Sequence, residues 1–206
     1  MYRSFVKRLL DIVFSAAALL LLALPLLIFA LIVKLDSKGP VLFWQERVGR
    51  YKKNFKMPKF RSMYAQTPAN VPTHLLDDPQ RWITPVGKVY RKLSIDELPQ
   101  LWSILVGKMS FIGPRPALWN QDDLVAERDK YGANDVRPGL TGWAQINGRD
   151  ELEIPVKAKL DGEYVEKLSF LFDCKCFFGT IKAVLYHDGV VEGGTGACKK
   201  EKEKQK

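Results

Sequence analysis

Charged residues vanish from the chain between Ile12 and Val33. A straight helix of that length, rising ~1.5 Å per residue, just crosses a bilayer core of roughly 30 Å, so the pattern predicts a segment that enters a membrane. A cleaved signal peptide fits poorly, because the apolar run is too long and no small-x-small cleavage site precedes the charged stretch after it. Pro25, inside ALPLL, removes a backbone hydrogen bond and crowds the preceding turn, which predicts a kink or break. Arg3, Lys7 and Arg8 precede the segment, and Lys34, Lys38, Arg47, Arg50, Lys52 and Lys53 come after it. Lys and Arg are retained on the cytoplasmic side, so this symmetry points to a hairpin that dips into one leaflet and returns. An ordinary spanning helix with a proline kink satisfies the same pattern, since neighbouring groups can rescue the freed backbone.

Beyond the apolar segment the periods shorten. VLFWQERVGR and NFKMPKFRSM predict two short strands around GRYKKN, with Pro58 confining the second to an edge or irregular strand. TPANVPTHLLDDPQRW carries three prolines among polar residues and reads as a surface loop. Leu98, Leu101, Trp102 and Leu105 recur at helical spacing between Asp96 and Val106, with Gly107 as a stop. Further helices are expected from about Leu118 to Tyr131 and from about Ile154 to Glu166. In VEKLSFLFDCKCFFGTIKAVLY, Phe170, Phe177 and Phe178 stand among lysines; such a helix can lie at a membrane interface, although core packing uses the same residues. The expected fold is a helix-rich α/β domain with small β-hairpin elements. Its parts are a membrane helix-break-helix over 1–36, one compact domain over 37–190 and a flexible basic tail over 191–206.

The 206 residues carry 32 Lys and Arg against 23 Asp and Glu, a formal net charge of +9. That excess favours an anionic partner: nucleic acid, an acidic membrane surface or phosphorylated small molecules. Cys174, Cys176 and Cys198, with His74 and His187, lack the ligand count of a structural zinc site and read as free thiols. Neither a Walker A loop nor a G-x-G-x-x-G fingerprint occurs, and EGGTG reads as a linker.

The chemistry concentrates around SIDELPQ at 94–100. SIDE matches a capping box with Ser94 as N-cap, but Pro99 would then be a fifth helical residue whose N–H should already be bonded. A start at Asp96 removes that conflict and sets Asp96 and Glu97 at the positive end of a helix, where ionised carboxylates could hold Mg²⁺ or attack phosphorus. Arg115 lies between prolines in GPRP, and Arg137 and Arg149 bracket RPGLTGWAQINGR. Guanidiniums pre-ordered by rigid backbone suit the oxygens of a diphosphate.

These residues resemble the bacterial polyprenol-phosphate phosphoglycosyl transferases of the monotopic, single-domain type. The likeness is carried by KRLLDI (7–12), FWQERVGR (43–50), KFRSM (59–63), SIDELPQL (94–101), GKMSFIGPRP (107–116) and RPGLTGWAQINGR (137–149). It implies an enzyme at the cytoplasmic face of a bacterial inner membrane that moves a sugar phosphate from a UDP-sugar to undecaprenyl phosphate and releases UMP, with Mg²⁺ as cofactor. In that reading Asp96 is the nucleophile, forming a covalent phosphosugar-aspartate, and Glu97 assists with Mg²⁺ or a proton. Arg115 and Arg149 would contact phosphate, joined by Arg137, Lys59 and Arg61. The resemblance also implies a re-entrant helix broken at Pro25, contact with membrane lipids, and downstream glycosyltransferases as candidate partners. The chain departs from the family pattern at Leu24, Pro58 and Lys108, where a serine, an aromatic residue and an acid are usual. Two rival readings are a membrane-tethered nucleic-acid-binding module, which lacks RNP-like motifs and stacking platforms, and a membrane phosphohydrolase using the same aspartate. Nucleic acid is not an expected partner.

Overall fold

The computed structural model describes residues 1–67, 78–148 and 152–186. The proline-rich loop lies largely outside these residues, as do Arg149, Cys198, EGGTG and the basic tail.

A π-helical turn, Tyr2–Val6, leads into α1 (Lys7–Leu21), and α2 (Ala23–Asp36) continues from it at a bend of 64°. The break falls at Leu22 (φ −92°, ψ 6°), three residues before Pro25. Proline explains the offset: its ring excludes a helical carbonyl four residues earlier, so the chain turns first and Pro25 settles into the opening turn of α2, where its missing N–H costs nothing. No single described helix is long and apolar enough to cross a membrane, but the bent pair has the length and composition together. Its outer side chains, among them Leu20, Leu21, Leu24 and Leu27, are more than 65% exposed.

Next comes the expected hairpin, β1 (Leu42–Val48) antiparallel to β2 (Asn54–Phe60). Pro58 stands within β2 opposite Trp44, tolerated because both strands of a two-stranded sheet are edges. Phe55 and Met57 on the inner face pack with Leu101, Ile104 and Met109 and against Ala18, Leu19 and Leu22 of the apolar pair. The membrane-type segment is thus part of the core of the hairpin domain.

Helix α3 (Pro85–Lys92) is absent from the sequence expectation, although Thr84-Pro85 is a start signal; the Thr84 hydroxyl accepts from Gly87 N–H at 2.9 Å. Gly87 lies so close to β2's exit that a Cβ there would fall 2.0 Å from the Ser62 carbonyl oxygen. After α4 (Gln100–Leu105) a second small sheet pairs β3 (Ser110–Ile112) in parallel with β4 (Gly139–Thr141). The sequence pattern does not predict this pairing: three-residue strands have no readable period, and parallel partners are far apart in the sequence.

Helix α5 (Asp122–Asp129) is shorter than expected, and a short α6 (Trp143–Ile146) comes after β4. Helix α7 (Ile154–Glu166) has the expected bounds, and α8 (Phe170–Tyr186) closes the described chain. Arg128 on α5 donates to Asp161 on α7 through Nε at 2.8 Å and Nη2 at 2.5 Å, with both side chains buried. Asp173 on α8 accepts from Tyr2 (2.5 Å), Lys7 (2.6 Å) and Tyr164 (2.8 Å), which fastens the first residues of the chain to its last helix. Phe172 and Cys176 face the core with Ile112 and Tyr164. Phe170, Phe177 and Phe178 do not: they are exposed with Leu171 and Ile181, because α8 carries apolar residues on two sides and the domain covers one.

Candidate active site

Helix α3 ends at Lys92, and Ser94 reverses the chain in the left-handed region (φ 56°) while its N–H bonds Arg91 O at 3.2 Å. Ser94 therefore terminates α3, and its side chain makes no capping bond to the next turn. Asp96 and Glu97 lie in that turn, a 3₁₀ segment over Ile95–Glu97, and α4 starts at Gln100 with Pro99 as its N-cap. The expected helix start at Asp96 is thus corrected. Pro99 cannot donate, so the chain runs through i→i−3 bonds, Glu97 N to Ser94 O and Leu98 N to Ile95 O, until α4 can begin.

The turn separates the two acids electrostatically. Glu97 accepts from Arg115 Nη2 at 2.6 Å and from Lys59 Nζ at 3.0 Å, so residues from β2 and the GPRP loop meet on one carboxylate. Burial raises the Glu97 pKa, but Arg115 and Lys59 outweigh it and hold the carboxyl well below its usual range. Burial lowers that of Lys59, opposed chiefly by Glu97. Asp96 is 8% exposed and accepts no hydrogen bond from the described residues. Burial pushes it up to about 6, with Lys59 opposing and the Glu97 charge adding to the rise. Of the two acids expected to be readily ionised, Glu97 is, through Arg115 and Lys59 and not through a helix end, whereas Asp96 resists ionisation.

Lys59 and Arg115 are the two expected phosphate contacts that join the acids. Arg61 is elsewhere, buried, with Nη2 donating to Val33 O (3.1 Å), Ser37 O (2.5 Å) and Ser37 Oγ (3.0 Å) at the end of α2. Alternation explains this: Lys59 and Arg61 lie on the same side of an extended chain, but Arg61 is past the end of β2, where α2 comes close. Arg137 is also elsewhere, donating from Nε to Gly107 O at 3.0 Å beyond the far end of α4. Arg149 lies outside the described residues. Arg91, missed in the sequence, acts electrostatically on Asp96 and is steadied by a 3.0 Å bond to Ser62 Oγ. A basic last turn of α3 is an ordinary dipole match, so it carried no separate signal.

Among the described residues no three His, Cys, Asp or Glu side chains converge as a metal cage. Mg²⁺ needs none: it commonly takes one or two carboxylates and completes its shell with water and substrate phosphates. Asp96, accepting no bond from the described residues, and the adjacent Glu97 fit that donor set.

Pre-ordered cations beside a buried carboxylate that accepts no bond from the described residues suit anionic phosphoryl groups. The family described as bacterial sugar transferase matches residues 2–187, and the chain belongs to it. The uncharacterized sugar transferase EpsL of Bacillus subtilis is 39% identical over 184 residues, covering 89% of each chain. The UDP-glucose:undecaprenyl-phosphate glucose-1-phosphate transferase of Escherichia coli is 40% identical over 85% of this chain and 39% of its own length. The UDP-N-acetylgalactosamine-undecaprenyl-phosphate N-acetylgalactosaminephosphotransferase of Aeromonas hydrophila is 38% identical over 88% and 44%. The chain thus spans most of one relative and less than half of two others.

Proposed function

We propose that the protein transfers a sugar phosphate from a UDP-sugar to undecaprenyl phosphate, releasing UMP, at the cytoplasmic face of a bacterial inner membrane. The observation that carries the reading is the 3₁₀ turn holding Asp96 unbonded beside a Glu97 clasped by Lys59 and Arg115. The bent pair α1–α2 inserts as a re-entrant hairpin and the exposed face of α8 lies at the interface, so residues 1–36 anchor a catalytic domain over 37–190.

In this mechanism an Asp96 carboxylate oxygen attacks the sugar-linked phosphorus of the diphosphate. The bond from that phosphorus to the bridging oxygen breaks, and UMP leaves with the electron pair. An oxygen of the lipid phosphate then attacks the same phosphorus, the acyl-phosphate bond breaks, and Asp96 regains its carboxylate. Asp96 and Glu97 would hold Mg²⁺, which would supply neutralisation of the charge that builds on the phosphoryl oxygens. Arg115 and Lys59 face that charge from fixed positions, and Glu97, held ionised, orients them. Low solvent exposure leaves Asp96 poorly hydrated and hence more nucleophilic once ionised.

Relatives that act on different sugars share this degree of identity, so the sugar is to be found by assay. The test is purified full chain with Mg²⁺, undecaprenyl phosphate and a panel of UDP-sugars, scored for UMP and lipid-linked product, with mass spectrometry of protein quenched before lipid is added. A phosphosugar on the peptide containing Asp96 is expected. Lipid product without any adduct in rapid-quench samples rejects the covalent route, and UMP released continuously without lipid makes the protein a hydrolase.

A further inference from the structure

A second group of cations gathers beyond the opposite end of α4 from the acids. Arg8 donates to Ile104 O at 2.6 Å and to Leu105 O at 2.7 Å. Arg137 donates from Nε to Gly107 O at 3.0 Å, and Arg50 from Nε to Asp135 O at 2.9 Å. Gly107 links the first two: a Cβ there would sit 3.1 Å from Arg8 Nη2. Lys108, exposed, is next in the chain. Arg137 is half-buried, and burial with the charges of Arg50 and Arg8 lowers its pKa. Asp11 is the acid in range, but its Oδ1 already accepts from Ser110 Oγ (3.0 Å) and Phe111 N (3.1 Å). No described carboxylate forms an ion pair with Arg8, Arg50 or Arg137.

Capping the α4 carbonyls accounts for only part of this arrangement. Each arginine spends one or two donors on a carbonyl, while a guanidinium has five. Three like charges with one acid, Asp11, in range and no described ion pair among them raise the energy of the folded chain unless an anion joins them. We propose that Arg8, Arg50 and Arg137 bind the phosphate of an anionic phospholipid headgroup, at a site separate from the reacting one. The six residues of α4, roughly 9 Å of helix, stand between the two sites. The choice of a lipid rests on the membrane placement proposed above. Arg8 lies in the first turn of α1, ahead of exposed Leu9, Ile12 and Val13, and Trp102 and Val106 are exposed on α4 and just past its end. A phosphate bound here would have apolar surface beside it for acyl chains.

The test uses the full chain in neutral detergent without UDP-sugar or Mg²⁺, which keeps it independent of turnover. Short-chain phosphatidylglycerol, phosphatidylcholine of the same chain length and inorganic phosphate are titrated separately, with Tm as the readout. Phosphatidylglycerol is expected to raise Tm by about 3 °C or more at saturation, and phosphatidylcholine much less. Arg50→Gln should at least halve the shift, and Arg50→Gln with Arg137→Gln should abolish it. Arg50 is exposed, so the single variant decides the matter if the double does not fold. Equal shifts with both lipids, or a shift that survives Arg50→Gln undiminished, overturn the proposal. A shift lost instead in Arg115→Gln overturns it by assigning the lipid phosphate to the acceptor site, and full reproduction by inorganic phosphate overturns the lipid assignment.

Discussion

Asp96 and Glu97 are neighbours in the chain, yet their carboxyls are driven to opposite sides of their ordinary range. Glu97 is fixed ionised by Arg115 and Lys59, whereas burial lifts Asp96 to about 6. Lys59 and Arg115 lower both, but the 3₁₀ turn gives their hydrogen bonds to Glu97 and leaves burial to dominate at Asp96.

Asp96→Asn should therefore abolish activity and stabilise the fold. The carboxyl is protonated more readily in the folded chain than in the unfolded one, so folded protein holds the extra proton between about pH 4 and pH 6 and loses stability as pH rises through that window. Below it the penalty is absent. In metal-free buffer Asp96→Asn should raise Tm at pH 7 and leave it nearly unchanged at pH 3.5, while turnover falls about a thousandfold or more. Equal effects at both pH values would mean that the carboxylate charge is not the cause.

Arg115→Lys keeps a charge but loses the planar fork that reaches both Glu97 oxygens, at 2.6 and 3.4 Å. A loss of roughly 10²-fold in kcat/KM is expected. Arg115→Gln should cost more and should also raise the Glu97 pKa, measurable by NMR titration of labelled glutamate.

Arg61→Gln separates a phosphate contact from a structural tie. Its bonds to Val33 O and to Ser37 predict a stability loss of about 1–3 kcal/mol, read from denaturant unfolding, with KM for the UDP-sugar unchanged in the folded fraction. An increase of KM without loss of stability would restore the phosphate role read from the sequence.

Asp173→Ala strands three donors, Tyr2, Lys7 and Tyr164. Removing one member of a buried charged network costs about 3–5 kcal/mol. Asp173→Asn, which keeps the acceptor, should recover part of that loss by the same Tm measurement.

The acid pair, the hairpin and α7 are legible in the sequence, because adjacent charges, alternation and amphipathic period are local properties. Lys59 and Arg115 are legible as cations suited to phosphate, but their meeting on Glu97 depends on how β2 and the GPRP loop pack. That Arg61 and Arg137 lie away from the acids is not legible for the same cause: their distance from the reacting turn is set by packing, and a guanidinium that reaches a carbonyl reads no differently in the sequence from one beside the acids. The parallel pairing of β3 with β4 spans too much chain to read from period, and α3 is hidden in a polar stretch whose one start signal is Thr84-Pro85.

Arg8 and Arg61 tie the two ends of the bent apolar pair to the domain, one to the carbonyls of α4 and the other from beyond β2 to the end of α2. A segment clamped at both ends is a keel and not a tether. Seated in a bilayer as proposed, it would leave the reacting turn no independent vertical travel, so a thicker or thinner membrane would reach Asp96 as a tilt of the whole body. Activity should then respond to the acyl length of the host lipid even when the sugar donor is saturating.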